Sequence, residues 1–203
     1  MDEKTSQPAI DQLTFDTAPN RLTLLRILAV PAVVYFLTWR TLKGDSIACA
    51  AFIAAAITDW FDGYLARTTK AITIYGKLMD PLADKFLVVA TLIMLLTLGR
   101  IDPYVVMLLI CREMAITSLR ALASAEGVII AAGSGGKWKA ALQMVGIPFL
   151  ILNIKLWDTI DCKLVGIVLI YVSIFLSLTS ALTYSLDFFR GLREKLKAKK
   201  QNP

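Results

Sequence analysis

Asp59-Trp60-Phe61-Asp62-Gly63-Tyr64-Leu65-Ala66-Arg67, followed after eight residues by Gly76-Lys77-Leu78-Met79-Asp80-Pro81-Leu82-Ala83-Asp84, decides the reading of this chain. The stretch lies between two apolar runs, Ile47–Ile57 and Phe86–Leu98. Carboxylates at the edge of a bilayer are costly and seldom idle. Residues three or four apart share a helix face. The spacing therefore predicts two helices, one presenting Asp59 and Asp62 and the other Asp80 and Asp84. Gly63 and Ala66 fall on the face of the first pair, and Gly76 lies four residues before Asp80. Two carboxylates about 6 Å apart repel by roughly 3 kcal/mol at an effective dielectric near 20. Four of them call for counterions. The chain has no His and only three Cys, Cys49, Cys111 and Cys162, with no metal-ligand spacing. An all-oxygen set of this kind suits Mg2+ or Mn2+ rather than zinc. Two such ions on shared carboxylates suit a pyrophosphate substrate and an in-line displacement.

The surrounding sequence reads as membrane throughout. Of 203 residues, 57% are hydrophobic, and the mean hydropathy is +0.63, too apolar for an ordinary soluble domain. A helix of about 20 residues spans a bilayer. Six candidate spans follow: Asn20–Trp39, Ser46–Arg67, Lys77–Leu98, Pro103–Ala125, Lys137–Leu156 and Lys163–Phe189. The expected fold is all-α, a polytopic six-helix membrane bundle. It comprises a cytoplasmic leader (1–18), a catalytic membrane domain (19–190) and a basic cytoplasmic tail (191–203). The leader is polar and partly acidic, so nothing there reads as a cleaved signal peptide. Trp39, Trp60, Trp138 and Trp157 fall near span ends, as an interfacial belt would.

Lys and Arg placement orients the bundle. With the N-terminus in the cytoplasm, the inner segments hold Lys4, Arg21, Arg67, Lys70, Lys77, Arg120, Lys137, Lys139 and the tail from Arg190 to Lys200. The other side holds Arg40, Lys43, Arg100, Lys155 and Lys163. Both termini and the aspartate cluster then face the cytoplasm. The net charge of +6 owes much to the tail, which suits anionic headgroups and equally serves as a solvated end that fixes topology.

The aspartate pattern, Asp59-x2-Asp62-Gly63-x2-Ala66-Arg67-x8-Gly76-x3-Asp80-x3-Asp84, resembles the signature of the CDP-alcohol phosphotransferases, integral membrane enzymes of phospholipid synthesis, at all eight specified positions. Pro19-Asn20-Arg21-Leu22-Thr23-Leu24-Leu25-Arg26, Arg112-Glu113, Ser118-Leu119-Arg120 and Gly136-Lys137-Trp138-Lys139 extend the likeness toward the bacterial members that make phosphatidylglycerophosphate. The resemblance covers roughly Pro19 to Gln143. It implies that CDP-diacylglycerol donates its phosphatidyl group to sn-glycerol 3-phosphate, releasing CMP. It also implies a homodimer in the bacterial inner membrane, two Mg2+ or Mn2+ ions per subunit, membrane lipids as surroundings and no nucleic-acid partner. On this likeness Asp59, Asp62, Asp80 and Asp84 hold the metals, and Asp84 is also the general base. Asn20, Thr23, Arg26, Gly63, Ala66, Arg67 and Gly76 bind the donor.

The acceptor phosphate needs a cationic pocket of its own, for which Arg112, Arg120, Lys137 and Lys139 are the candidates. Arg112 stands inside an apolar run, where an unpaired charge is expensive. Its neighbour Glu113 points about 100° away on a helix and is expected to be a poor partner.

Each assignment has a plainer counterpart. Asp80-Pro81 reads as an N-cap with proline at the first helical position, although capping leaves the other signature residues unexplained. Asn20 and Arg26 read as a cap and a snorkelling arginine. Arg112 and Arg120 read as salt-bridged or snorkelling, and Lys137 and Lys139 as topology signals. A cardiolipin synthase of the same family, with phosphatidylglycerol as acceptor, is the nearest alternative, and its less charged acceptor needs a weaker cationic pocket. A cation transporter is the remote one. It would be expected to spread its carboxylates over several helices near mid-membrane.

Overall fold

The computed structural model describes residues 18–69, 74–127, 135–156 and 160–201. The side chains of 18–22, 59–69, 74–81, 84, 135–137, 156, 160, 196 and 198–201 lie outside that description. In chain order the elements are α1 (Ala18–Thr38), α2 (Leu42–Thr69), α3 (Ile74–Thr97), α4 (Pro103–Ala125), α5 (Gly135–Leu152), β1 (Lys155–Leu156), β2 (Ile160–Asp161) and α6 (Cys162–Gln201). The helical reading holds. A two-residue antiparallel ladder, Lys155 opposite Asp161 and Leu156 opposite Ile160, is the one addition among the described residues.

Helices α1–α3, with residues 151–153, form one compact unit. In it α1 lies against both α2 and α3. Val33 and Leu37 of α1, Phe52 of α2, and Leu87 and Leu95 of α3 are wholly buried. The turn from α1 into α2 is tight at Gly44. A Cβ there would stand 2.5 Å from the Phe36 carbonyl oxygen, so only glycine fits.

The second unit holds α4, α5 to Leu150, the hairpin and α6. Asp102 caps α4, its carboxylate accepting from the Tyr104 amide at 2.8 Å with Pro103 at the first turn. This is the arrangement that suits an extended residue before proline. The Asp161 carboxylate likewise accepts from the Lys163 amide at 2.9 Å to open α6. Helices α5 and α6 cross at two glycines. A Cβ on Gly166 would lie 2.9 Å from the Gly146 carbonyl oxygen and 2.8 Å from Leu150 Cγ. Helix α4 packs on α6. The Lys195 ammonium donates to the Glu126 carbonyl and stands 3.4 Å from its carboxylate, tying the far end of α6 to the end of α4.

Several boundaries differ from expectation for identifiable reasons. Helix α5 stops at Leu152, not Leu156, because Asn153 turns left-handed (φ 45°) into the hairpin. Helix α6 runs 40 residues, to Gln201, rather than ending at Phe189. Leu, Arg, Lys, Glu and Ala dominate residues 190–200 and all favour helix, so the basic tail continues the helix. Helix α3 begins at Ile74 and passes through Asp80 and Pro81. Asp80 is therefore not an N-cap, and the capping explanation is withdrawn. Asn20 is likewise inside α1, not ahead of it.

Among the described residues one helical stretch, Cys162–Lys195, is both long and apolar enough to cross a membrane. Thr23–Thr38, Lys85–Thr97 and Trp138–Leu152 are shorter apolar helical stretches. Along α6, Leu164, Val168, Phe175, Leu182 and Phe189 are all exposed. At 1.5 Å per residue they mark a stripe of roughly 37 Å, longer than the ~30 Å hydrocarbon core of a bilayer.

Candidate active site

Both carboxylate pairs sit on unbroken helix. Asp59, Asp62, Gly63, Ala66 and Arg67 lie in α2, and Gly76, Asp80 and Asp84 in α3. The helical periodicity on which the shared-face argument depends is thus present in both segments. The side chains of these eight residues lie outside the described residues, as do those of Asn20 and Lys137. Among the described residues no cluster of three metal-ligating side chains occurs. The donor set itself is all carboxylate, on two continuous helices in one unit, and fits hard divalent ions rather than soft ones.

On α1 two donor candidates are described. Thr23 and Arg26, three residues apart and so on one face, are 2% and 1% exposed. Full burial of Arg26 overturns the snorkelling explanation, which requires the guanidinium to reach water. A guanidinium is kept inside a fold only with compensation.

The acceptor candidates are better defined. The Arg112 side chain on α4 is 8% exposed and that of Lys139 on α5 is 10% exposed. The Arg112 Nε donates to the Ser177 carbonyl of α6 at 3.0 Å, and its Nη1 donates to Glu113 Oε2 at 3.1 Å. The Lys139 ammonium donates to the same Glu113 oxygen. Three helices thus converge on one small charged centre, with two buried cations on one carboxylate. Arg120, two turns along α4 and exposed, lies within Coulombic range of both cations. Its guanidinium carbon stands 5.5 Å from the centre of the Tyr184 ring, a cation–π distance.

The expectation that Glu113 would be a poor partner for Arg112 is corrected here. Adjacent Cβ atoms do diverge by about 100°, but both side chains are long enough for their ends to meet. The missed signal was charge balance. Glu113 is the one acidic residue between Pro103 and Ala125, and a cation buried in an apolar helix requires a counterion. Sequence reasoning also missed the Ser177 carbonyl and the Tyr184 ring, which α6 brings in from more than 60 residues away. The structure brings Arg112, Arg120 and Lys139 near one another around Glu113.

The family profile of the CDP-alcohol phosphatidyltransferases matches residues 16–179. The chain is 32% identical over 169 residues to the CDP-diacylglycerol–glycerol-3-phosphate 3-phosphatidyltransferase of Rickettsia bellii, covering 83% of this chain and 93% of that protein. It is 34% identical over 187 residues to the protein of the same name from Bacillus subtilis, covering 86% and 96%. A cardiolipin synthase (CMP-forming) of Oryza sativa is 33% identical over 194 residues, covering 87% of this chain but 58% of the rice protein.

Proposed function

This chain belongs to the CDP-alcohol phosphatidyltransferase family, and from that premise we propose that it transfers the phosphatidyl group of CDP-diacylglycerol to sn-glycerol 3-phosphate. The products are phosphatidylglycerophosphate and CMP. A hydroxyl oxygen of the acceptor forms a bond to the lipid-bearing phosphorus, the bond from that phosphorus to the CMP oxygen breaks, and the hydroxyl proton leaves to a base. Near-full-length likeness to relatives of that named activity supports the reaction. The observation that carries the acceptor choice is the pair of buried cations, Arg112 and Lys139, around Glu113. A phosphate monoester with about two negative charges benefits from such a centre far more than a phosphodiester lipid does.

Each residue has a distinct part. Asp59, Asp62 and Asp80 are the residues to hold two divalent cations, Mg2+ or Mn2+, with Asp84 beside them; bound there, the ions would offset the charge of the diphosphate. Asp84 accepts the proton of the attacking hydroxyl. Gly63, Ala66 and Gly76 leave room for the nucleotide against the helix backbone, and Arg67 pairs with a donor phosphate. Thr23 and Arg26, with Asn20, line the donor side on α1. Arg112 and Lys139 bind the acceptor phosphate, joined by Arg120 and Lys137. Arginine does so through paired N–H groups that match phosphate oxygens.

The setting is a bilayer, with six spans, both termini and the site on the cytoplasmic face of the inner membrane, and two copies per enzyme. The long exposed apolar stripe of α6 supports contact with lipid. A lipid donor also explains why the site is built in a membrane helix bundle. The test is an acceptor screen. Purified protein in lipid vesicles, with CDP-diacylglycerol and Mg2+, is given glycerol 3-phosphate, phosphatidylglycerol, inositol phosphate or serine, and CMP release is followed. CMP should appear with glycerol 3-phosphate. Release with phosphatidylglycerol alone would make the enzyme a cardiolipin synthase.

A further inference from the structure

Glu113 is the hub of the charged centre, yet no step of the reaction requires a carboxylate there. A carboxylate beside a phosphate pocket repels the ligand, so its presence needs a reason. The geometry supplies one. A guanidinium has five N–H donors and an ammonium three. Arg112 spends one on the Ser177 carbonyl and one on Glu113. Lys139 spends one on Glu113. Three donors on Arg112 and two on Lys139 then remain for a ligand. Two cations held this close repel each other, and without a shared anion each would turn toward water or toward backbone carbonyls. With Glu113 between them, the centre keeps a net charge of +1, and both cations are drawn to a single oxygen. The two side chains are about nine-tenths buried, so few other partners compete to orient them.

We infer that Glu113 is a positioning residue for the acceptor, holding Arg112 and Lys139 side by side so that their remaining N–H groups converge on one phosphate. This rests on the reading that these two cations receive the acceptor's phosphate. In this role the carboxylate acts through the two cations rather than on a reacting atom. It follows that loss of its charge weakens acceptor recognition while leaving donor binding and the chemical step largely alone.

The experiment uses the full-length protein in vesicles and compares wild type with Glu113→Gln and Glu113→Asp. Three quantities are read: KM for each substrate with kcat, the inhibition constant of inorganic phosphate, and the thermal unfolding midpoint. For Glu113→Gln the KM for glycerol 3-phosphate and the inhibition constant of phosphate should both rise about tenfold, equivalent to about 1.4 kcal/mol. The KM for CDP-diacylglycerol and kcat should stay within about threefold. Glu113→Asp, which keeps the charge one methylene short, should fall between wild type and Gln on both acceptor constants. If the Gln variant does not accumulate, the Asp variant decides on the same two constants. Unchanged acceptor constants overturn the inference. So do lowered ones, which would make Glu113 a competitor for the pocket, and so does a joint fall of every kinetic constant with the unfolding midpoint, which would make it purely structural. If wild type ignores glycerol 3-phosphate, the proposed reaction fails, but binding of inorganic phosphate, read as a rise in the unfolding midpoint, still tests Glu113 by itself.

Discussion

Replacing Arg112 probes acceptor recognition at its best-defined residue. Arg112→Ala removes two hydrogen bonds, to the Ser177 carbonyl at 3.0 Å and to Glu113 at 3.1 Å. It also halves the pair of buried cations. Glu113 is not left alone, because Lys139 still donates to it. The fold should therefore survive, at a cost of about 1.5–3 kcal/mol for each charged hydrogen bond lost, without the further roughly 3–5 kcal/mol of an orphaned buried charge. The centre falls from a net charge of +1 to neutral. Loss of one charged contact to the acceptor phosphate, again about 1.5–3 kcal/mol, raises the KM for glycerol 3-phosphate roughly 10- to 150-fold. Arg112→Lys keeps the charge but lacks the planar fork and cannot meet Ser177, Glu113 and a phosphate together, so it should recover only part of the loss. The assay is steady-state CMP release at varied acceptor and saturating donor, then the reverse. An acceptor KM within threefold of wild type in both variants would refute the pocket. Weakening confined to CDP-diacylglycerol would move Arg112 to the donor side.

Other outcomes follow from the same structure. Asp59→Ala, Asp62→Ala and Asp80→Ala should each abolish turnover without loss of folded protein, and EDTA should silence wild type until Mg2+ or Mn2+ is restored; full activity in chelator would contradict the metal assignment. Asp84→Asn should still bind CDP-diacylglycerol yet turn over at least ~100-fold more slowly, the usual loss for a general base, as single-turnover measurements would show. Gly166→Ala places a methyl 2.9 Å from the Gly146 carbonyl oxygen, an atom that cannot swing aside as Leu150 can. It should destabilise by about 1–3 kcal/mol, seen as a lower unfolding midpoint in detergent. An unshifted midpoint would mean that the α5–α6 crossing is looser than described.

The helices were legible where sequence signals were local. Asp102-Pro103 marks the start of α4, whose bounds agree with expectation, since capping chemistry lies within two residues. Asp80-Pro81 carries the same letters yet lies inside α3. A proline at the eighth position of a helix removes one bond, which neighbouring helices are able to offset, and nothing local distinguishes the two cases. Hydropathy ends at Phe189 while helix propensity continues to Gln201, so a span read from hydropathy stops short of the end of the sixth helix. In the candidate site, residue type and spacing led to the carboxylate pairs and to Arg112, Arg120 and Lys139. Cβ direction alone makes Glu113 a poor partner for Arg112, whereas side-chain reach decides the contact. Ser177 and Tyr184 carry no signal of their own, because their roles arise only from the packing of α6 beside α4.

Acceptor choice is the claim on which the account turns, and a competition measures it most directly. Vesicle-embedded enzyme with CDP-diacylglycerol and Mg2+ receives glycerol 3-phosphate and phosphatidylglycerol together, and the lipid products are separated by mass spectrometry. Phosphatidylglycerophosphate should dominate in wild type, and its share should fall in Arg112→Ala, which loses the cation suited to a monoester dianion. Cardiolipin as the main product of wild type, with a product ratio indifferent to Arg112, would contradict the account.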